Sequence, residues 1–94
     1  MSAESLVDAV TLVESFVAHF EPGRYSGDDA AVLVEHFTRC EHLCATGKAL
    51  AAKRVAETDL HKKDGHRSAA EWLATQTGET LGQAAGSLRL ADQM

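Results

Sequence analysis

Residues 65–90 read GHRSAAEWLATQTGETLGQAAGSLRL, and this stretch decides the predicted fold. Ser68 precedes Glu71 by three residues, and Thr80 precedes Gln83 by three. In such pairs the hydroxyl accepts from the backbone N–H three residues on, while the longer side chain returns to the N–H of the cap. Each pair therefore predicts a capping box at the start of a helix.

A helix stop lies between these two starts. Gly78 suits the left-handed conformation that ends many helices. Ala74 and Gly78 have the spacing of the small residue and the turn glycine that let two helices of a helix-turn-helix motif cross tightly, and Ala84 fits the packing position on the second helix. Glu79, however, follows the glycine where an apolar residue is common. The stretch predicts a helix-turn-helix-like corner, either a structural corner or a DNA-contacting motif.

The chain ahead of this stretch predicts two further helices. The first runs from near Ser2 to about Phe20, with apolar residues three and four apart, and ends at Pro22. The second begins after Ser26 and has no strong breaker before Lys63-Asp64-Gly65, a length of roughly 34 residues. Its apolar stripe comprises Leu33, Phe37, Cys40, Cys44, Gly47, Ala51 and Val55. Gly47 on this stripe predicts a close helix crossing.

These elements together predict an all-α fold. It is a long helical hairpin with a C-terminal helix-turn-helix-like corner folded on its far half. The 94 residues form a single helical domain. The last helix, Leu81 to Met94, meets no stop signal, so we expect the chain to be the N-terminal fragment of a longer protein.

Charge is unevenly distributed along the chain. The net charge is −5, whereas an autonomous DNA-binding domain is usually basic. Residues 48–67 nevertheless carry six basic against three acidic residues, directly ahead of the corner. No run is apolar and long enough to span a bilayer, and no signal peptide is recognisable. We therefore expect a cytoplasmic protein with no membrane partner.

Half of the chain is similar to a known family. The residues concerned are the Ala-rich run 49–57, DGHRSAAEWLA at 64–74, Thr77-Gly78 and the Leu/Ala pattern over 81–91. They resemble the actinobacterial 13E12 repeat family, a domain of unknown function found N-terminal to HNH endonuclease domains. The resemblance implies that any nuclease activity belongs to a part of the protein beyond this chain.

Six residues are candidates for DNA contact. Lys62, Lys63 and Arg67 precede the corner and suit phosphate contacts. On the last helix, Gln83 suits adenine, Ser87 a base or phosphate, and Arg89 guanine or phosphate. The alternatives are a solvated basic loop and an Arg67–Glu71 ion pair four residues apart.

Other chemistry is poorly supported by the sequence. His36, Cys40 and Cys44 share one helix face, but one helix does not close a tetrahedral zinc site. We expect no metal, no cofactor, no small-molecule substrate and no catalytic activity in this chain. Trp72 is expected to be a core residue whose indole N–H finds a partner, with a partner-binding anchor as the alternative.

Two functional hypotheses follow. The first is a non-catalytic N-terminal module of an HNH-endonuclease-type protein that helps to bind or position DNA. The second is a dimerisation or protein–protein assembly module without nucleic-acid contact. In the second, the long helix forms a homodimer because its apolar stripe extends beyond the reach of the first helix.

Overall fold

The computed structural model describes residues 3–93 and confirms the all-α prediction. The helices are α1 (Glu4–Ala18), α2 (Gly27–Glu57), α3 (Leu60–Lys63), α4 (Ala69–Thr77) and α5 (Leu81–Asp92), with a 3-10 turn at Pro22–Arg24. No strand occurs within residues 3–93. No helix in this range is long and apolar enough to cross a membrane. The chain divides into two compact units between Glu35 and His36.

The first unit begins with α1. The predicted start near Ser2 lies outside the described residues, and the helix begins at Glu4. It ends two residues earlier than predicted, where His19 leaves the helical conformation and the N–H of Phe20 bonds the Val17 carbonyl three residues back instead of four. Beyond it, the Phe20 ring meets Tyr25 edge-on at a centroid distance of 5.3 Å. These contacts shape the connection to α2.

The start of α2 is as predicted. Ser26 Oγ accepts from the backbone N–H of Asp29 at 3.1 Å, and the Ser26 carbonyl accepts from Ala30 at 2.9 Å. Asp28 and Asp29 lie in the first turn, where the helix dipole favours carboxylates. Local capping chemistry therefore fixes this boundary.

The predicted end of α2 is wrong, because the helix stops at Glu57 after 31 residues rather than continuing to Lys63. Asp59 adopts the left-handed conformation at φ 59°, which short polar residues tolerate. The backbone N–H of Thr58 still bonds the Arg54 carbonyl four residues back, whereas the N–H of Asp59 bonds the Ala56 carbonyl three residues back, so the α-helical pattern ends here. The chain then restarts as the short α3.

In the second unit the predicted apolar stripe of α2 is not the face that is buried most deeply, since only Phe37 and Val55 of the stripe are half-buried there. Cys40, Cys44, Gly47 and Ala51 are exposed, whereas Ala49 and Ala52 are buried. A Cβ placed on Gly47 would meet nothing within 4 Å, so no helix crosses closely there. The helix runs through Gly47 unbroken. The buried positions of α2 are alanines, because their small side chains leave room for α4 and α5 to pack against the helix.

The corner formed by α4 and α5 is confirmed. Gly78 ends α4 at φ 74° with its N–H bound to the Ala74 carbonyl. The two helices pack together on α2, and the buried core consists of Ala52, Leu73 and Ala84. Residues partly buried against this core are Ala70, Trp72, Ala74 and Leu88. The helix-turn-helix-like spacing therefore gives a packed corner on the far half of the long helix.

The two helix starts differ in detail. Thr80 and Gln83 form the complete capping box, with N···O distances of 3.0 and 3.1 Å. At Ser68 only half of the predicted box forms, since its hydroxyl accepts from the Glu71 backbone at 3.1 Å. The Glu71 carboxylate does not return to the cap but binds His66 instead.

Two ion pairs tie the corner to α2. Lys48 Nζ lies 2.8 Å from Glu79 Oε1, and Lys53 Nζ lies 3.8 Å from Asp92 Oδ1. Glu79, the residue that departs from the usual helix-turn-helix pattern, thus has a partner on the long helix. Hydrogen bonds from the side chains of Lys48 and Thr77 lower the pKa of Glu79 below its ordinary value of 4.5.

Candidate nucleic-acid interface

Lys62 and Lys63 lie in the short helix α3, not in a loop as predicted, and Arg67 lies in the turn after it; we keep the name basic loop for these three residues. All three side chains are exposed. Lys62 Nζ lies 3.5 Å from Asp59 Oδ1, a solvent-exposed pair of the kind that adds little stability. Within residues 3–93, Lys63 and Arg67 have no carboxylate within 4 Å. These two cations are therefore available to a phosphate.

The alternative Arg67–Glu71 pair does not form in the structure. Glu71 Oε1 lies instead 3.3 Å from His66 Nδ1, the ring of which is mostly buried. The left-handed Gly65 and the β conformation of Ser68 turn the chain here, so that His66 faces α4 and Arg67 remains in solvent. The i, i+4 spacing supports such a pair only when both residues lie on one helix, whereas Arg67 precedes the Ser68 cap of α4.

The positive charge near the corner is smaller than the sequence count suggests. Of the six basic residues in 48–67, Lys48 and Lys53 pair with carboxylates of the following segment. Arg54 Nη1 lies 3.9 Å from Oε2 of Glu57 on the same helix. Two of the three excess positive charges are thus balanced, and the remainder is concentrated in the basic loop.

The three residues of α5 predicted to contact DNA differ in whether their side chains already form hydrogen bonds within the chain. Gln83 Oε1 accepts from the Thr80 N–H in the capping box, and Ser87 Oγ donates to the Gln83 carbonyl at 3.3 Å. Both side chains therefore bond to the backbone of their own helix. Arg89 is exposed and folds towards Gly86, its nearest terminal nitrogen 3.8 Å from where a Cβ would lie. Only Arg89 presents an uncommitted head group on α5.

The surface of the second unit also contains an open groove beside Trp72. Its floor is mainly apolar, with Ala51, Ala52 and Val55 from α2, and the lining also includes Lys48, Gln76 and Thr77. The groove encloses about 180 Å³, less than the ~300–1,000 Å³ of typical small-molecule sites. Trp72 packs on the core and its indole N–H donates to Asp64 Oδ2 at 3.0 Å, as expected for a core tryptophan.

Metal-ligating residues are not brought together. Cys40 and Cys44 are free and exposed. Among residues 3–93, no group of three or more His, Cys, Asp and Glu side chains is placed to hold a metal ion.

His61, which no sequence pattern singled out, is buried with 6% of its surface exposed. Its Nδ1 has no hydrogen-bond partner within the described chain. An unbroken α2 would have carried Lys62, not His61, on the apolar stripe. The break at Asp59 changes this register, so a helix-stop signal at Thr58-Asp59 was the missing clue.

Comparison of the chain with protein-family models, with curated proteins and with solved structures found no match of any of the three kinds.

Proposed function

We propose that this chain is a non-catalytic helical module that helps an HNH-endonuclease-type protein to bind or position DNA through the basic loop. The observation that supports it most is the exposure of Lys63 and Arg67 without carboxylate partners within residues 3–93. The resemblance of residues 49–91 to the 13E12 repeat family supplies the nuclease context. The module acts in the cytoplasm, where the exposed thiols of Cys40 and Cys44 stay reduced.

The mode of contact follows from the side chains. Lysine and arginine head groups bind phosphate oxygens and carry no sequence information. Gln83 and Ser87, which would read bases, already bond to the backbone of α5. The proposed role is therefore to hold the phosphate backbone while another part of the protein supplies specificity and chemistry.

The test is fluorescence anisotropy of the full chain with a labelled DNA duplex over ~50 to ~200 mM salt. The double variant Lys63→Gln/Arg67→Gln should bind more weakly, with a log–log salt slope smaller by about two. The control Arg24→Gln/Arg39→Gln removes the same charge from elsewhere and should keep the wild-type slope. Absence of binding by the wild type, or equal losses in both variants, would refute the proposal.

A second candidate function is protein–protein assembly, favoured by the surface of α1. Leu6, Val7, Val10, Val13 and Val17, which we call the α1 stripe, are 46–65% exposed. Contiguous exposed apolar side chains of this kind mark interaction surfaces. The homodimer through the long helix remains a proposal of the same class, with Leu43 and Leu50 exposed on α2.

A further inference from the structure

We infer that the α1 stripe docks a basic amphipathic helix of a partner protein. This inference rests on the assembly function proposed above and names its partner.

The apolar part of the site is a continuous face of one helix. Leu6, Val10, Val13 and Val17 follow one another at spacings of four, three and four residues, so they line one side of α1. Val7 widens that side. Each of the five keeps about half or more of its surface exposed, and none of the fifteen α1 residues is buried. A helix with complementary a and d residues covers such a face.

The charge around this face selects the partner. Glu14 lies four residues after Val10 and three before Val17, directly at the edge of the α1 stripe. Residues 3–35 carry seven acidic residues against a single basic one, Arg24, which is itself paired with Glu21. The acidic surface attracts a helix whose apolar face is flanked by lysine or arginine.

A second copy of the chain fits this surface less well. Pairing two α1 stripes would bring two strongly acidic units together, and the edge residue Glu14 would find no cation on α1 of the other copy. Like charges across an interface disfavour a partner, whereas opposite charges favour it and speed association. Charge therefore distinguishes a basic helix from self-association.

The test uses two synthetic fluorescent peptides of about three heptads with leucine at a and d. One carries lysine at the flanking positions and the other glutamate. We expect the lysine peptide to bind the full chain about tenfold more tightly than the glutamate peptide, and to weaken as salt is raised. Glu14→Lys should narrow the preference of the chain for the lysine peptide, because six acidic residues of residues 3–35 remain.

Variants of the stripe test the location of the site. Val10→Ser/Val13→Ser should abolish binding of the lysine peptide. Leu12→Ser removes a more exposed apolar side chain, at 72%, from outside the stripe and should leave binding intact. Circular dichroism of each variant checks that helix content is retained. Equal affinity for the two peptides would overturn the inference. So would an equal loss of affinity for the lysine peptide in Val10→Ser/Val13→Ser and in Leu12→Ser.

Light scattering in the presence of a reductant measures the oligomeric state, which distinguishes failure of the basic-helix partner from failure of the assembly function. A wild-type dimer that becomes monomeric in Val10→Ser/Val13→Ser would overturn the basic-helix partner while preserving assembly. A monomer that binds neither peptide would overturn both.

Discussion

Lys48 Nζ lies 2.8 Å from Glu79 Oε1 and so joins the long helix to the turn between α4 and α5. The two residues are 31 positions apart in the chain. This contact explains why an acidic residue follows Gly78 where helix-turn-helix sequences commonly carry an apolar one. An ion pair takes the place of an apolar contact at this point of the corner.

This ion pair predicts a pH dependence of stability. The pKa of Glu79 is lower in the folded chain, chiefly through Lys48, so its contribution is present above the ordinary value of 4.5. The contribution disappears as pH falls through the lowered pKa. In urea unfolding, Glu79→Gln should be less stable than wild type at neutral pH, and the difference should vanish in acid. The control Glu57→Gln, whose partner Arg54 is 3.9 Å away, should show no such convergence.

Trp72 should contribute much of the stability of the second unit. Trp72→Ala removes the ring from the core and should lower the free energy of unfolding by about 3 kcal/mol, at the low end for tryptophan because the ring is only partly buried. Trp72→Phe keeps most of the packing but loses the bond to Asp64 and should cost about 1 kcal/mol. Urea unfolding followed by circular dichroism measures both. Equal losses would contradict the separate roles of ring and N–H.

Alanine substitutions at two glycines should change the stability of the chain in opposite directions. Gly78→Ala forces a β-carbon into φ 74° and should destabilise the chain by about 1–2 kcal/mol. Gly86 lies inside α5, and a β-carbon added there would meet only the Arg89 head group, at 3.8 Å. Gly86→Ala should therefore stabilise the chain by up to about 1 kcal/mol. Thermal unfolding of the two variants decides. A stabilising Gly78→Ala would refute the left-handed helix end.

The proposed binding of DNA through the basic loop should not depend on the base sequence of the duplex. Gln83 and Ser87 bond within α5, so two unrelated duplexes of equal length should bind within about twofold of each other. Ser87→Ala should leave both affinities unchanged. Anisotropy titrations with the two duplexes measure this, and a preference above about tenfold would indicate base readout.

Local chemistry in the sequence determined the helix starts and the corner. Ser26, Ser68 and Thr80 cap helices as predicted, and Gly78 ends α4, because each of these contacts spans four residues or fewer. The same local signals missed the left-handed Asp59, since aspartate tolerates that conformation without requiring it. The identities of α1, α2, α4 and α5 were therefore readable, whereas the end of α2 and the short α3 that follows it were not.

Only the tertiary structure decided which side chains face one another. The pairing of Lys48 with Glu79 and the burial of Ala49 in place of Ala51 depend on how the corner sits on α2. In a helix rich in alanine, apolar spacing specifies several faces almost equally well. The face that is buried then depends on the volume and charge of the element packed against it. A local sequence pattern contains no information about that element.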